Sequence, residues 1–368
     1  MGASQPRCSS VFIRVFTVIS ALGASHSIDN DARADDTIID VADRAAISFA
    51  DDEDYTVTLV DENDRWGFDG GDRWYTRGGV IHVLLPAGKT PWLDDVPLMM
   101  SSAEGRTAPR LSLSFGQEIF TPENLGATAP IADDRPYGAF LYLGAEAIRY
   151  TPHVVDGGWS TLIEDRRGLQ IGILGGSASL GEFAQSTTHT LYDSTSPEGW
   201  DNGLDNEPAL NLTASRAYRF FDTLGPVETE VKPYGAVSLG TVYTHAAAGL
   251  EMRIGDDLAD DLSQNHRLTA VPGSSYSRPS DGFAWSLFGG LHGRAVGYNA
   301  FLDGNLLADG PDPAIDIDKQ PFVLDAQLGF ALMTGRVRFS YAYTWRSKEF
   351  EEQPEAQSFG TFTLGARF

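Results

Sequence analysis

The chain has almost no cysteine: Cys8 is the single thiol in 368 residues. It stands before the short apolar stretch Val15 to Ala24 rather than after it, which argues against a lipid-anchored cysteine. A cut near Ala24 leaves no thiol, hence no disulfide and no thiol nucleophile. Long apolar runs are missing too. No stretch of roughly 18 residues is both uncharged and apolar, as a membrane helix needs. No G-x-S-x-G occurs, so there is no sequence sign of a serine elbow. Positive charge is scarce, with 27 Lys and Arg against 51 Asp and Glu, a net charge of −24. Residues 1–24 hold Arg7, Arg14 and no acid, so the remainder carries −26. Such acidity excludes nucleic acid as the natural partner and suits either a calcium-rich surface or plain solvation.

What is present begins with a secretory pattern. Arg7 supplies the basic start, Val15 to Ala24 the apolar stretch, and Ala21, Gly23, Ala24 and Ser25 the small residues for cleavage. Residues 1–24 therefore read as a signal peptide. Residues 25–53 read as a mobile periplasmic leader, with a short helix near Val41 to Ala50, and 54–368 as one continuous β domain.

Within that domain apolar residues alternate with polar ones. Val337, Phe339, Tyr341, Tyr343 and Trp345 oppose Arg336, Arg338, Ser340, Thr344 and Arg346. Phe322, Leu324, Ala326, Leu328 and Phe330 oppose Asp325 and Gln327, and the chain ends on Phe362, Leu364, Ala366 and Phe368 at the same period. A soluble barrel or sandwich shares this period. Aromatic strand ends beside aliphatics, and a last strand closing on an aromatic, favour an outer-membrane barrel. The expected fold is all-β, a transmembrane antiparallel up-and-down β-barrel of 12 strands with a short helix in an extracellular loop. Residues 283–304 are read as one strand through Gly293, which keeps the count even. Entry from the periplasm puts connections 64–74, 121–136 and 175–206 outside, and the long connections 86–109 and 255–280 at the other end.

Three outer segments carry chemistry. Glu62-Asn63-Asp64 and Asp72-Arg73-Trp74-Tyr75-Thr76 offer oxygens suited to a hard cation, or alternatively a satisfied Gly-Asp hairpin. Asp133-Asp134-Arg135-Pro136-Tyr137 offers Arg135 to a phosphate or carboxylate, or alternatively an Asp134–Arg135 pair holding a loop over the rim. Gly175 to Glu182 leads into an expected helix, Phe183 to His189, in which Gln185 and His189, four apart, share one face. His189 is a candidate general base. Of the other histidines, His82, His245 and His292 read as strand residues facing a lumen.

Taken in order with Gly116-Gln117, Thr121-Pro122 and Gly199-Trp200-Asp201-Asn202, these motifs resemble the lipid A 3′-O-deacylases, outer-membrane enzymes of Gram-negative bacteria. The motifs cover about residues 54–221. The resemblance implies hydrolysis of the ester holding the 3′ acyloxyacyl chain of lipid A, calcium dependence, and a site between lumen and outer leaflet. It implies His189 as the base activating water, with Gln185 beside it, and Asn63, Asp64 and Thr76 lining the Ca2+ and oxyanion region. Arg135 and Trp200 are the expected substrate contacts, and lipopolysaccharide in the outer leaflet is the expected partner. Gly203 and Gly138 depart from the family pattern, which has larger residues there. Asp193 and Glu198 are alternatives for a further oxygen ligand. Two other classes remain open: a non-enzymatic barrel (a pore or an inactive relative), and an outer-membrane phospholipase using Ser186.

Overall fold

The computed structural model describes residues 40–67, 72–95, 107–155, 159–192, 196–264, 274–308 and 317–368. The expected signal peptide and the first part of the expected leader lie outside the described residues, as does Asp193. Twelve strands, β1 (Thr56–Asn63), β2 (Trp74–Leu84), β3 (Arg110–Thr121), β4 (Gly138–Val155), β5 (Trp159–Gly175), β6 (Glu207–Leu224), β7 (Val227–Gly240), β8 (Tyr243–Gly255), β9 (Ser280–Asn299), β10 (Phe322–Gly335), β11 (Val337–Arg346) and β12 (Gln357–Arg367), follow one another around a closed barrel. Every neighbouring pair is antiparallel, and β12 closes on β1 with Thr56 opposite Arg367 and Asn63 opposite Gly360. Closure removes both sheet edges, the condition for crossing hydrocarbon with strands. The segment through Gly293 is one strand, as the alternation predicts, although residues 300–303 leave it as a turn of helix.

The two faces sort as the period requires. Leu59, Leu143, Leu239, Leu328, Phe322 and Leu364 stand exposed on the outer wall. Thr58, His82, Ser112, Glu146, His292, Asp325 and Arg338 are buried on the inner face. All three strand histidines point into the lumen, as expected.

That lumen is filled. At the end bearing the chain start, helix α1 (Asp40–Ala50) packs Phe49 edge-on against Tyr150 and Tyr276, with ring centroids 4.7 and 5.0 Å away. Ala42, Ala45 and Ala46 are buried with it. The short helix expected near Val41 to Ala50 is therefore present, but it is packed inside the barrel rather than part of a mobile leader. The small residues on one helix face let it lie against the inner wall, and burial of Phe49 favours it there. Above it, Arg219 bridges Glu164 and Glu230, Arg166 bridges Glu146 and Glu164, and Asp261 joins Arg253 to Arg338. Each buried guanidinium meets carboxylates, which offsets the desolvation that an unpaired charge would suffer. At the opposite end the short helix α3 (Ala300–Asp303) stacks Phe301 on Phe120 at 4.0 Å, within a cluster that includes Tyr75, Phe140, Tyr243 and Phe359.

Candidate functional site

Helix α2 (Gly181–Tyr192) does not sit over the barrel mouth but against the outside of the wall. Ile119 of β3 and Ala139 of β4 belong to the outward rows of their strands, yet both are buried, because Ala184 of α2, Trp200, Tyr137 and Leu125 cover them. Gly181 permits this approach. A Cβ there would lie 2.6 Å from the Ala139 Cβ and 2.6 Å from the Trp200 ring. The chain enters the helix through a tight turn in which Leu180 adopts a left-handed conformation, φ 58°, and Ser179 Oγ donates to the Gly176 carbonyl. Gln117, on the outer face of β3, donates from Nε2 to the Ser179 carbonyl at 2.7 Å. Arg77, on the outer face of β2, donates from Nη1 to Thr188 Oγ1 at 3.0 Å and pairs through Nε with Asp61 at 3.2 Å. The helix is thus fastened to the wall at both ends.

Its buried face carries the two residues that the four-residue spacing predicts to lie together. His189 is 5% exposed, and its Nε2 lies 2.8 Å from Asp72 Oδ2. Gln185 is buried; its Oε1 accepts from Trp200 Nε1 at 2.9 Å, while its Nε2 meets no hydrogen-bond acceptor. Asp72 occupies the β1–β2 loop, across from the helix. Beside it, Asp64 lies in a single 3₁₀ turn (Asp64–Trp66), and its Oδ2 accepts from the Arg73 backbone N–H at 2.7 Å. The remaining oxygen of each acid, Oδ1, is buried without a hydrogen-bond partner. Burial, then the neighbouring negative charge of Asp72, holds the Asp64 carboxyl well above the usual carboxylate range. Burial also raises Asp72, against the opposing pull of His189 and Arg65.

Among the other expected residues the outcomes differ. Asn63 caps the 3₁₀ turn, its Oδ1 accepting from the Arg65 N–H at 2.8 Å. Thr76 is buried with its hydroxyl 2.7 Å from that of Thr121. Arg135, expected to meet substrate, lies on the other side of the wall. It is fully buried, paired with Glu349 at 2.9 Å, and its guanidinium rests over the Phe120 ring. The alternative Asp134–Arg135 ion pair is not its partner either, since Asp134 accepts from the backbone N–H groups of Glu123 and Arg135. Trp200, expected at the substrate surface, is buried and orients Gln185. The two glycine departures have steric reasons. A Cβ at Gly203 would lie 2.5 Å from the Tyr137 carbonyl oxygen, and one at Gly138 would lie 2.7 Å from a Leu204 methyl. Among the described residues no three His, Cys, Asp or Glu side chains gather as a ready-made metal cluster.

A family described as "Outer membrane protein LpxR" matches residues 33–368. The chain belongs to the LpxR family. It is an outer-membrane protein, and it resembles in fold the LpxR of Salmonella typhimurium. That likeness has a TM-score of 0.67 at 18% identity and covers 85% of this chain and 100% of that one. More distant likenesses include the β-domain of the Bordetella autotransporter BrkA (TM-score 0.39, 10% identity, 86% of this chain and 99% of that one). The translocator domain of NalP from Neisseria meningitidis gives a TM-score of 0.40 at 10% identity, covering 98% and 100%. No curated protein matches the sequence.

Sequence reasoning offers Asp72 only as an oxygen donor for a cation, not as the partner of His189, and it misses Arg77. Asp72 belongs to a motif visible in the sequence, but only the fold carries its loop across to α2. Arg77 is one residue beyond that motif, and a backbone irregularity between Tyr75 and Arg77 turns it to the outer face.

Proposed function

We propose that this protein hydrolyses the ester that holds the 3′ acyloxyacyl chain of lipid A in the outer leaflet. The observation that carries the reading is a buried His189–Asp72 pair mounted between helix and outer wall, where a lipid ester reaches it without entering the lumen. A water attacks the ester carbonyl and gives its proton to the His189 imidazole. Asp72 Oδ2 accepts from Nε2–H, which fixes the ring and stabilises the imidazolium as it forms. Gln185 Nε2, a buried donor with no acceptor, is available to the carbonyl oxygen as negative charge develops there. The proton on His189 then passes to the departing sugar oxygen, leaving a free hydroxyl and a free acid.

The donor set fits a hard cation. Asp64 and Asp72 each keep a buried oxygen without a partner, and oxygen-only ligation is what calcium takes. Asp64 and Asp72 would hold Ca2+, with Asn63 and Thr76 alongside. When bound, the ion supplies charge that polarises the ester carbonyl. The packed lumen disfavours the pore alternative, since α1, the ion-pair layer and the Phe301 cluster lie in succession along it.

Mass spectrometry of lipid A from cells expressing the chain tests the reading, beside His189→Ala and with calcium supplied or chelated. Loss of one acyloxyacyl unit, abolished by the substitution and by the chelator, is the expected result. Unchanged lipid A with the protein inserted in the membrane rejects it; acyl release from glycerophospholipid instead supports the phospholipase alternative.

A further inference from the structure

Outside the barrel, directly below α2, a groove of about 280 Å³ runs between β2 and β3. Ile81, Phe115, Gln117 and Ile119 flank it, and Gly79 forms its floor. All are in the outward rows of their strands: Gly79 is opposite Gln117, and Ile81 is opposite Phe115. The groove exists because Gly79 has no side chain. A Cβ added there would meet no heavy atom within 4 Å, and the residue's backbone is not in the left-handed region that demands glycine. Glycine is therefore not required here by packing or by φ, and the vacancy is a feature of the surface. At the upper end stand Arg77 and Gln117, the two side chains that tie the wall to α2 and to the turn before it. The groove thus begins next to Thr188, one residue from His189.

We propose that this groove holds the acyl chain of the ester cleaved at His189, and that Gly79 sets how long a chain is accepted. The inference rests on the lipid A deacylase reading and names a specificity-determining position for it. The occupant follows from placement. The groove opens on the lipid-facing wall, so an outer-leaflet chain enters it without leaving hydrocarbon. Its walls are apolar except at the top, where the polar end of the lipid lies. Its volume falls just below the range of whole-ligand pockets, which suits one chain segment rather than a sugar headgroup.

The test uses the full chain in lipid vesicles, with lipid A molecules that differ only in the length of the 3′ acyl chain. Gly79→Phe fills the groove at a position open enough to accept the ring. Gly293→Phe is the control, an outward glycine on β9 whose nearest potential contact is the Ala248 carbonyl at 3.9 Å. Each methylene denied its burial weakens transition-state binding about fourfold. The ratio of kcat/KM for long over short chains therefore falls by at least about fourfold in Gly79→Phe and stays at the parental value in Gly293→Phe. A parental ratio in both variants overturns the groove while leaving the deacylase reading intact. A photoreactive group at the end of the 3′ chain, used with His189→Ala, reads occupancy even if no ester is cut. Labelling concentrated on residues 77–83 and 113–119 supports the proposal. Equal labelling of residues 287–293, or the same pattern from a photoreactive phospholipid, overturns it.

Discussion

At His189 the contact from Nε2 to Asp72 Oδ2, 2.8 Å, ties the ring to a carboxylate, and substitutions can read what that contact does. Asp72→Asn is expected to lower kcat about 10²- to 10⁴-fold with KM little changed, because the ring loses its fixed tautomer and its counter-charge. Single-turnover kinetics beside His189→Ala measures this; a drop confined to KM would assign Asp72 to binding instead. Trp200→Phe keeps the ring over Gly181 but leaves Gln185 Oε1 without its donor, at a cost of about 1–3 kcal/mol. Reduced kcat with a folded barrel is the expected outcome. Asp64 gives a pH prediction of definite sign. Its folded carboxyl is held above its unfolded value, so protonation favours the fold. In chelator, stability is greatest below the unfolded value and falls as pH rises from there towards the folded one. Asp64→Asn removes that fall and raises the melting temperature in chelator at neutral pH while abolishing activity. A variant less stable than its parent under those conditions would contradict it.

At the scale of elements, the contact between α2 and the wall is set by Gly181, with Ala139 and Trp200 on either side of it. Gly181→Val is expected to lift the helix and reduce turnover at least about tenfold, leaving the twelve-strand ladder intact. Circular dichroism and heat-modified gel mobility report the barrel, and turnover reports the helix. The four-residue spacing of Gln185 and His189 was legible in the sequence because helical geometry alone puts them on one face. The role of Trp200 was not. Nothing in Gly199-Trp200-Asp201-Asn202 says that the indole turns inward to Gln185 rather than outward to a substrate; that follows from the packing of two loops over Ile119 and Ala139. Arg135 misled for a related reason. A charged loop residue at a barrel rim reads as solvent-facing, but Glu349, 214 residues away, draws it into the lumen beside Phe120.

On the scale of the whole molecule, the lumen is closed by packing at both ends and by paired charges between. Planar-bilayer recordings of the full chain are expected to show no steady conductance; a stable open channel would revive the pore alternative. Under the proposed function the outer wall is the working surface, and the lumen is a packed core that holds its shape.

Alternation with period two determined the barrel, its even strand count and the sorting of leucines outward and histidines inward, because a strand's faces are fixed by local geometry and a membrane tolerates only closed ladders. The scarcity of cysteine and the absence of long apolar runs narrowed the chemistry and the mode of membrane crossing before any contact was known. Tertiary structure alone decided on which side of the wall each loop residue lies. It put Asp72 beside His189, Arg77 against Thr188, Arg135 against Glu349 inside the barrel, and α1 in the lumen. Such placements depend on contacts between segments far apart in the chain, and no local periodicity encodes them.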